Sequence, residues 1–277
     1  MLPALPATVA AYLADRAASR TTVGDDDGAR PLRPSTLVRH LAAISMAHRA
    51  AAFASPTHEL LVRTTMAGIR RTHGTAVVKK APVLVGELCS LVPTLGDELS
   101  GVRDRALLLL GFATALRRSE IAALDVADLE NVAEGLLVHV RWSKTDQDGQ
   151  GREIAVGHGA EAGTCPVLAT RAWIARAQLV EGPLFRAIDR HGRMREHRLS
   201  GKAVAEIVKR RVGALGLDPS RFGGHSLRSG FATSAAQAGI AEGEIAEVTG
   251  HRSIAVLRGY VRRGRAFTAA VVRRVGL

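Results

Sequence analysis

A few polar residues stand where they could do chemistry. His225 and Arg228 lie three apart at the opening of HSLRSGFATSAAQAG, a helix-like stretch, so they share a face. An imidazole can move a proton, and a guanidinium can hold an oxyanion as a planar fork. Arg117 follows an apolar run and precedes Glu120 by three residues in ALRRSEIAAL, a spacing that by itself suits a structural ion pair. Gly250 and His251 end another helical run, where glycine is an ordinary C-terminal cap. Tyr260 comes nine residues after His251, in VLRGYVRR. A phenol can serve as a nucleophile that forms a covalent intermediate. The sequence holds two tyrosines, and Tyr12, on an Ala/Leu-rich helix, reads as core. Lys144, in WSKTDQDGQG, is the only lysine between Lys80 and Lys202. Each of these features alone has a bland structural reading.

The elements that must position them are mostly helical. Up to about Gly74, Thr8 can cap a helix through Val9, Tyr12 and Leu13, and a polar loop follows from about Ser19 to Pro34. Ser35 can cap a second helix with Leu37, Leu41, Ile44 and Ala47 at helical period. Its opposite face carries Arg39, His40, His48 and Arg49. Pro56 opens a third helix through Leu60, Met66 and Ile69 that ends in Arg70, Arg71 and His73. The stretch GTAVVKKAP breaks the pattern, which predicts a helical unit over 1–76, a linker over 77–82 with Lys79 and Lys80, and a second unit over 83–277.

In that second unit, Leu95 to Leu116 reads as mostly helical, and Ser119 can cap a short helix through Ile121 and Leu124. LLVHVRW and REIAV read as two strands of a hairpin whose long tip carries Lys144. Further helices are expected over Val167 to Leu179, Ser200 to Leu215, Ser226 to Ala238, Glu242 to Thr249 and Ser253 to Val261. The fold class is therefore mainly α, with a small antiparallel sheet in the second unit.

Composition narrows the function. The 277 residues are 47% hydrophobic and 23% charged, a globular balance that excludes collagen-like, fibrous and disordered classes. The longest apolar run, Ala106 to Leu116, is short of the roughly 20 residues that span a bilayer. No signal-peptide pattern opens the chain, and Cys89 and Cys165 make no disulfide framework, so a soluble, cytoplasmic protein is expected. Lys and Arg total 38 against 26 Asp and Glu, a formal charge of +12. Such a balance is the electrostatic footprint of a nucleic-acid binder. The ten histidines show no metal-ligand spacing, and no glycine-rich segment forms a phosphate-binding loop. Neither a metal nor another cofactor is expected.

Taken in order, ALRRSEIAAL, WSKTDQDGQG, HSLRSGFATSAAQAG and TGHRSIAVLRGY resemble the tyrosine recombinase, or phage integrase, family. Its pattern is Arg in a G/A-L-R-x-S-E turn, Lys on a β-hairpin, His-x-x-Arg opening a helix, then Gly-His and a Tyr about nine residues on. The resemblance spans about Pro82 to Val275 strongly and Met1 to Gly74 more loosely. It implies a helical, SAM-like core-binding domain followed by a catalytic domain of the DNA breaking-rejoining fold. It also implies roles. Arg117 and Arg228 clamp the phosphate, helped by a hydrogen bond from His251. Tyr260 is the nucleophile, His225 the general acid/base, and Lys144 the general acid for the leaving oxygen. Glu120 orients Arg117 or His225. Arg39, Arg49, Arg70, Arg71, Lys79 and Lys80 become expected DNA contacts.

The implied partner is double-stranded DNA, with a homotetramer on two DNA sites that is weakly associated or monomeric without DNA. The implied location is the nucleoid. The apolar residues Phe267, Ala270, Val271 and Val275 would suit a tail exchanged between neighbours. The sequence departs from the family at its start, since MLPALPATVAAYLAD matches the second core-binding helix, so a module lacking its first helix is expected. Two other readings share the basic charge: a non-catalytic DNA-binding relative, and a type IB topoisomerase-like relaxing enzyme. A pure binder has no need of the nucleophile at Tyr260. The small N-terminal helical module and His-x-x-Arg resemble integrases more than topoisomerases.

Overall fold

The computed structural model describes residues 2–18, 31–75, 79–141, 151–250 and 258–260. Two compact units divide between Lys79 and Lys80. Lys144, His251 and the tail residues Phe267, Ala270, Val271 and Val275 lie outside the described residues.

The first unit packs three helices, α1 (Pro6–Ala18), α2 (Pro34–Ala50) and α3 (Leu60–His73). Their apolar stripes meet in a core of Val9, Leu13, Ala17, Leu37, Val62, Met66 and Ile69. α1 starts ahead of the expected Thr8 cap. α2 begins with Pro34 in its first turn after an extended Arg33, so Ser35 lies inside the helix and does not cap it. Proline suits that place because its missing N–H would be unpaired there anyway. The helix expected to run from Pro56 is broken. Ser55 caps a short 3-10 turn at Pro56–His58, Glu59 is extended, and α3 starts at Leu60.

The basic face expected on α2 is also corrected. His48 is buried: its Nε2 accepts the Ala4 N–H at 3.0 Å, and its Nδ1 pairs with the Ile44 carbonyl at 2.8 Å. His40 bonds the Tyr12 hydroxyl at 2.9 Å, and their rings stack. His40 fastens α1 to α2, and His48 ties the segment ahead of α1 to α2, so neither belongs to an outward basic face. Arg39, Arg49, Arg70 and Arg71 are exposed.

The second unit opens with an extended run built into its body. Ala81 N–H donates to the Arg221 carbonyl at 2.6 Å, Val83 N–H donates to Ser226 O, and Lys80 Nζ donates to Ser220 O. The stretch expected as a linker therefore already belongs to this unit from Lys80. α4 (Val85–Leu91), α5 (Leu99–Ala113) and α6 (Arg118–Ala123) follow. A three-stranded antiparallel sheet comes next, β1 (Leu129–Val132), β2 (Gly135–Val140) and β3 (Arg152–Gly157), paired in that order. The β2–β3 register sets Leu136 opposite Val156, Val138 opposite Ile154 and Val140 opposite Arg152. α7 (Pro166–Arg176) packs on α5, and a second hairpin is formed by β4 (Arg186–Ile188) and β5 (Met194–Arg198). α8 (Gly201–Ala214), α9 (Ser226–Gln237) and α10 (Glu242–Thr249) complete the described elements. β1, β4, β5 and α4 were not expected.

The core of this unit is aliphatic, centred on the buried Leu107, Leu108 and Leu110 of α5 with Val204 and Val208 of α8 and Trp173 of α7. A buried carboxylate reinforces it. Asp104 accepts hydrogen bonds from Arg103, Arg210 and Arg211, joining α5 to α8, while Arg103 also reaches the Arg186 carbonyl of β4. No helix among the described residues is long and apolar enough to cross a membrane.

Candidate active site

The site is built where α5 stops. Thr114 ends that helix, and the buried Ala115 then takes φ 49°, the left-handed region that L-residues avoid. This reversal sends the buried Leu116 into the core and leaves Arg117 extended ahead of α6. Glu120, in the first turn of α6, accepts both the Arg117 backbone N–H at 2.9 Å and its Nη1 at 2.5 Å. One carboxylate thus satisfies a helix-start donor and fixes a guanidinium. This bears on the role expected for Glu120, since Arg117 is held by it directly.

α9 brings the second arginine. His225 stands at its N-cap position and Arg228 in its first turn. Arg228 is buried, and its Nη1 donates to the Ala115 carbonyl at 2.9 Å, so the left-handed turn is tied to the helix that faces it. Its Nη2 is buried with no hydrogen-bond partner among the described residues. Burial above all, then the Arg117 charge, pulls the Arg228 guanidinium down to about 10, with Glu120 and Tyr260 opposing.

His225 presents an exposed edge. The atoms packed around it, then Arg228, Arg118 and Arg117, hold its imidazole below the ordinary value of 6.5. The neutral, proton-accepting form is therefore favoured. Tyr260 lies in a helical turn at 258–260 and packs on Ala232, Ala235, Ala236 and Ile245 of α9 and α10. That seat brings its phenol within electrostatic reach of Arg228.

The structure therefore gathers Arg117, Glu120, His225, Arg228 and Tyr260 in one neighbourhood. It adds one residue that the sequence reading left as a strand start, Arg152. Arg152 shares the core-facing register of β3 with the buried Ile154 and Val156. Its Nη1 donates to the Val248 carbonyl at 2.8 Å, and its Nη2 stands 3.9 Å from Glu120 Oε2. Burial first, and then Arg117, lower its pKa, against Glu120, which raises it. A charged residue on the inward beat of an alternating strand was the available signal. Three guanidiniums thus crowd one carboxylate, an arrangement suited to an anion with several oxygens. Among the described residues no cluster of His, Cys, Asp and Glu could hold a metal. Of the expected DNA contacts, Arg39, Arg49, Arg70, Arg71 and Lys79 belong to the first unit and Lys80 to the second, and all six are exposed.

Comparison with known proteins identifies the family. The phage integrase family matches residues 85–265. An integrase/recombinase xerD homolog of Selenomonas ruminantium is 40% identical over 99% of this chain and 78% of its own length. Recombinase cre of Escherichia phage P1 is 28% identical over 88% of this chain and 75% of its own. The fold matches that of the Tn1549 transposon integrase, solved in complex with transposon right end DNA. The TM-score is 0.64 at 13% identity, covering 98% of this chain and 86% of that one. XerA recombinase gives 0.52 at 18% identity, over 95% and 91% of the two chains. The chain belongs to the phage integrase family. Within that family it is a tyrosine recombinase, an enzyme that cleaves and rejoins DNA.

Proposed function

We propose that this recombinase cuts double-stranded DNA one strand at a time through a 3′-phosphotyrosyl bond and exchanges strands between two sites. The observation that supports the reading is the packing of Tyr260 against α9 and α10, within electrostatic reach of Arg228, which is itself bonded to the turn that sets Arg117 against Glu120. The phenol oxygen of Tyr260 attacks the phosphorus, and the bond to the 5′-oxygen breaks. The phenolic proton passes to neutral His225. Lys144, on the segment joining β2 to β3, donates the proton that the departing 5′-oxygen needs. Arg117 and Arg228 hold the non-bridging oxygens, where negative charge grows in the transition state, and His251 adds a hydrogen bond. Rejoining reverses these steps with a 5′-hydroxyl from the other site, so the phosphotyrosyl bond conserves the energy and no cofactor is consumed.

The exposed Arg39, Arg49, Arg70, Arg71, Lys79 and Lys80 serve the DNA backbone. The working assembly is a homotetramer on two sites, monomeric or weakly associated without DNA, acting on the nucleoid in the cytoplasm. A nicked suicide substrate, carrying DNA that flanks the gene, tests the reading. Wild-type protein should become covalently attached to the labelled strand, and Tyr260→Phe should bind the same DNA without attaching. Attachment that survives Tyr260→Phe assigns the nucleophile elsewhere. Absence of attachment by the wild-type protein on any flanking site favours a DNA-binding relative without catalysis.

A further inference from the structure

Arg152 is the residue of this site that demands a separate explanation. It faces inward from β3 where Ile154 and Val156 of the same face are buried, so an apolar side chain would pack there at less cost. Its fork instead spans three elements: it belongs to β3, reaches the α10 carbonyl of Val248 through Nη1, and approaches Glu120 of α6 through Nη2. The carbonyls of a helix's last turn lack intrahelical partners, so Arg152 answers a need of α10. Nη2 is buried with no hydrogen-bond partner among the described residues.

The neighbour that makes this possible is Gly250, the left-handed cap of α10 at φ 60°. A Cβ on Gly250 would stand 2.7 Å from Arg152 Nη1 and 2.9 Å from its Cζ. The guanidinium thus lies against a cap that is bare because it is glycine. Gly250 directly precedes His251, and Arg152 directly follows the segment that carries Lys144 and ends at Gly151.

We propose that Arg152 is a positioning residue that locks the end of α10 to the Arg117–Glu120 pair and to the base of the β2–β3 connection. This rests on the recombinase reading above. Through it, Gly250, which precedes His251 in sequence, and Gly151, which ends the segment carrying Lys144, are held to the Arg117–Glu120 pair. Arg152 acts through these neighbours and not by touching the scissile phosphate.

The test uses the full chain on the suicide substrate, comparing wild type, Arg152→Ala, Arg152→Lys, Gly250→Ala and the Arg152→Ala/Gly250→Ala double variant. Four quantities are read: DNA affinity on intact duplex, the single-turnover attachment rate at saturating DNA, the fraction of protein that attaches, and the thermal midpoint. Small misplacements of catalytic groups cost on the order of 100-fold in rate. Arg152→Ala should therefore attach about 100-fold more slowly, with affinity within about threefold and the same final fraction attached. Arg152→Lys, with one donor in place of a fork, should fall between it and wild type. Gly250→Ala should slow the rate similarly, and the double variant should be no slower than the worse single one.

A merely structural role would lower the attached fraction and the thermal midpoint while leaving the rate of the folded molecules unchanged, and that result overturns the proposal. So would losses that multiply in the double variant, since the two residues would then act independently. If Arg152→Ala does not fold, Arg152→Lys and Gly250→Ala decide by the same comparison of rate with fraction. Attachment by wild type with an unimpaired Arg152→Ala sinks this inference alone. Absence of attachment by wild type sinks the recombinase reading, and this inference with it.

Discussion

Arg228 is bonded to the carbonyl of Ala115, the one residue of its turn held at positive φ, across 113 positions of sequence. The bond fixes the arginine's direction but leaves Nη2 without a hydrogen-bond partner among the described residues and the guanidinium buried near Arg117. The residue is therefore placed for an anion at a cost to the free protein.

Replacing Arg228 should separate function from folding. Arg228→Ala should slow attachment to a suicide substrate by about 100- to 1,000-fold, as loss of one preorganised oxyanion donor does. The thermal midpoint should move little, because a buried, repelled charge is removed along with one hydrogen bond. Equal losses of affinity and cleavage rate would make Arg228 an anchor for DNA and not a transition-state group.

The acid limb of the cleavage rate should sit below the ordinary histidine range. Burial and three nearby arginines disfavour the imidazolium of His225, so the proton-accepting form persists to lower pH. Removing one cation with Arg118→Ala should raise the imidazole pKa and move the acid limb to higher pH. A single-turnover pH profile of both proteins checks the sign. An unmoved limb would assign the proton transfer to another group.

Gly230 marks a close crossing in the second unit. A side chain there would fall on the backbone carbonyl of Val83, which itself is bonded through its N–H to Ser226 of α9. Backbone cannot step aside as a flexible side chain can. Gly230→Ala should destabilise by about 1–3 kcal/mol, as overpacking generally does. Chemical denaturation with an unchanged slope and a lower midpoint is the expected record.

Asp104 holds three arginines with one carboxylate and is fully buried. Asp104→Asn keeps the shape but strands these charges. Breaking a buried ionic cluster from one side costs about 3–5 kcal/mol. The midpoint of thermal unfolding should fall accordingly. A small change would mean that the exposed Arg210 and its neighbours turn to solvent without penalty.

Much of this arrangement was legible in the sequence, for identifiable reasons. The helices expected over Ser200 to Leu215, Ser226 to Ala238 and Glu242 to Thr249 are seen as α8, α9 and α10, with bounds within a residue or so of expectation. The pairing of LLVHVRW with REIAV follows from alternation and is seen as β2 with β3. Arg117, Glu120, His225, Arg228 and Tyr260 are separated widely along the chain, and it was the ordered family pattern that joined them. What escaped was short or set by tertiary contact. β1 has four residues, and β5, MREHR, shows no apolar alternation. His48 looked like a member of a basic face, but its polarity is spent on Ala4 and Ile44. Arg152 was passed over because its partners, Val248 and Glu120, lie 96 residues ahead and 32 behind.

The left-handed turn at Ala115 has a consequence for how such a protein could be improved. Glycine occupies that backbone region without the penalty that a methyl group pays, so Ala115→Gly is a change in which relief of local strain opposes the extra freedom of the unfolded chain. Ala115 is one of the points among the described residues where the chain is bent against its preference, and it stands two residues before Arg117, so stability and the phosphate clamp meet in the same turn.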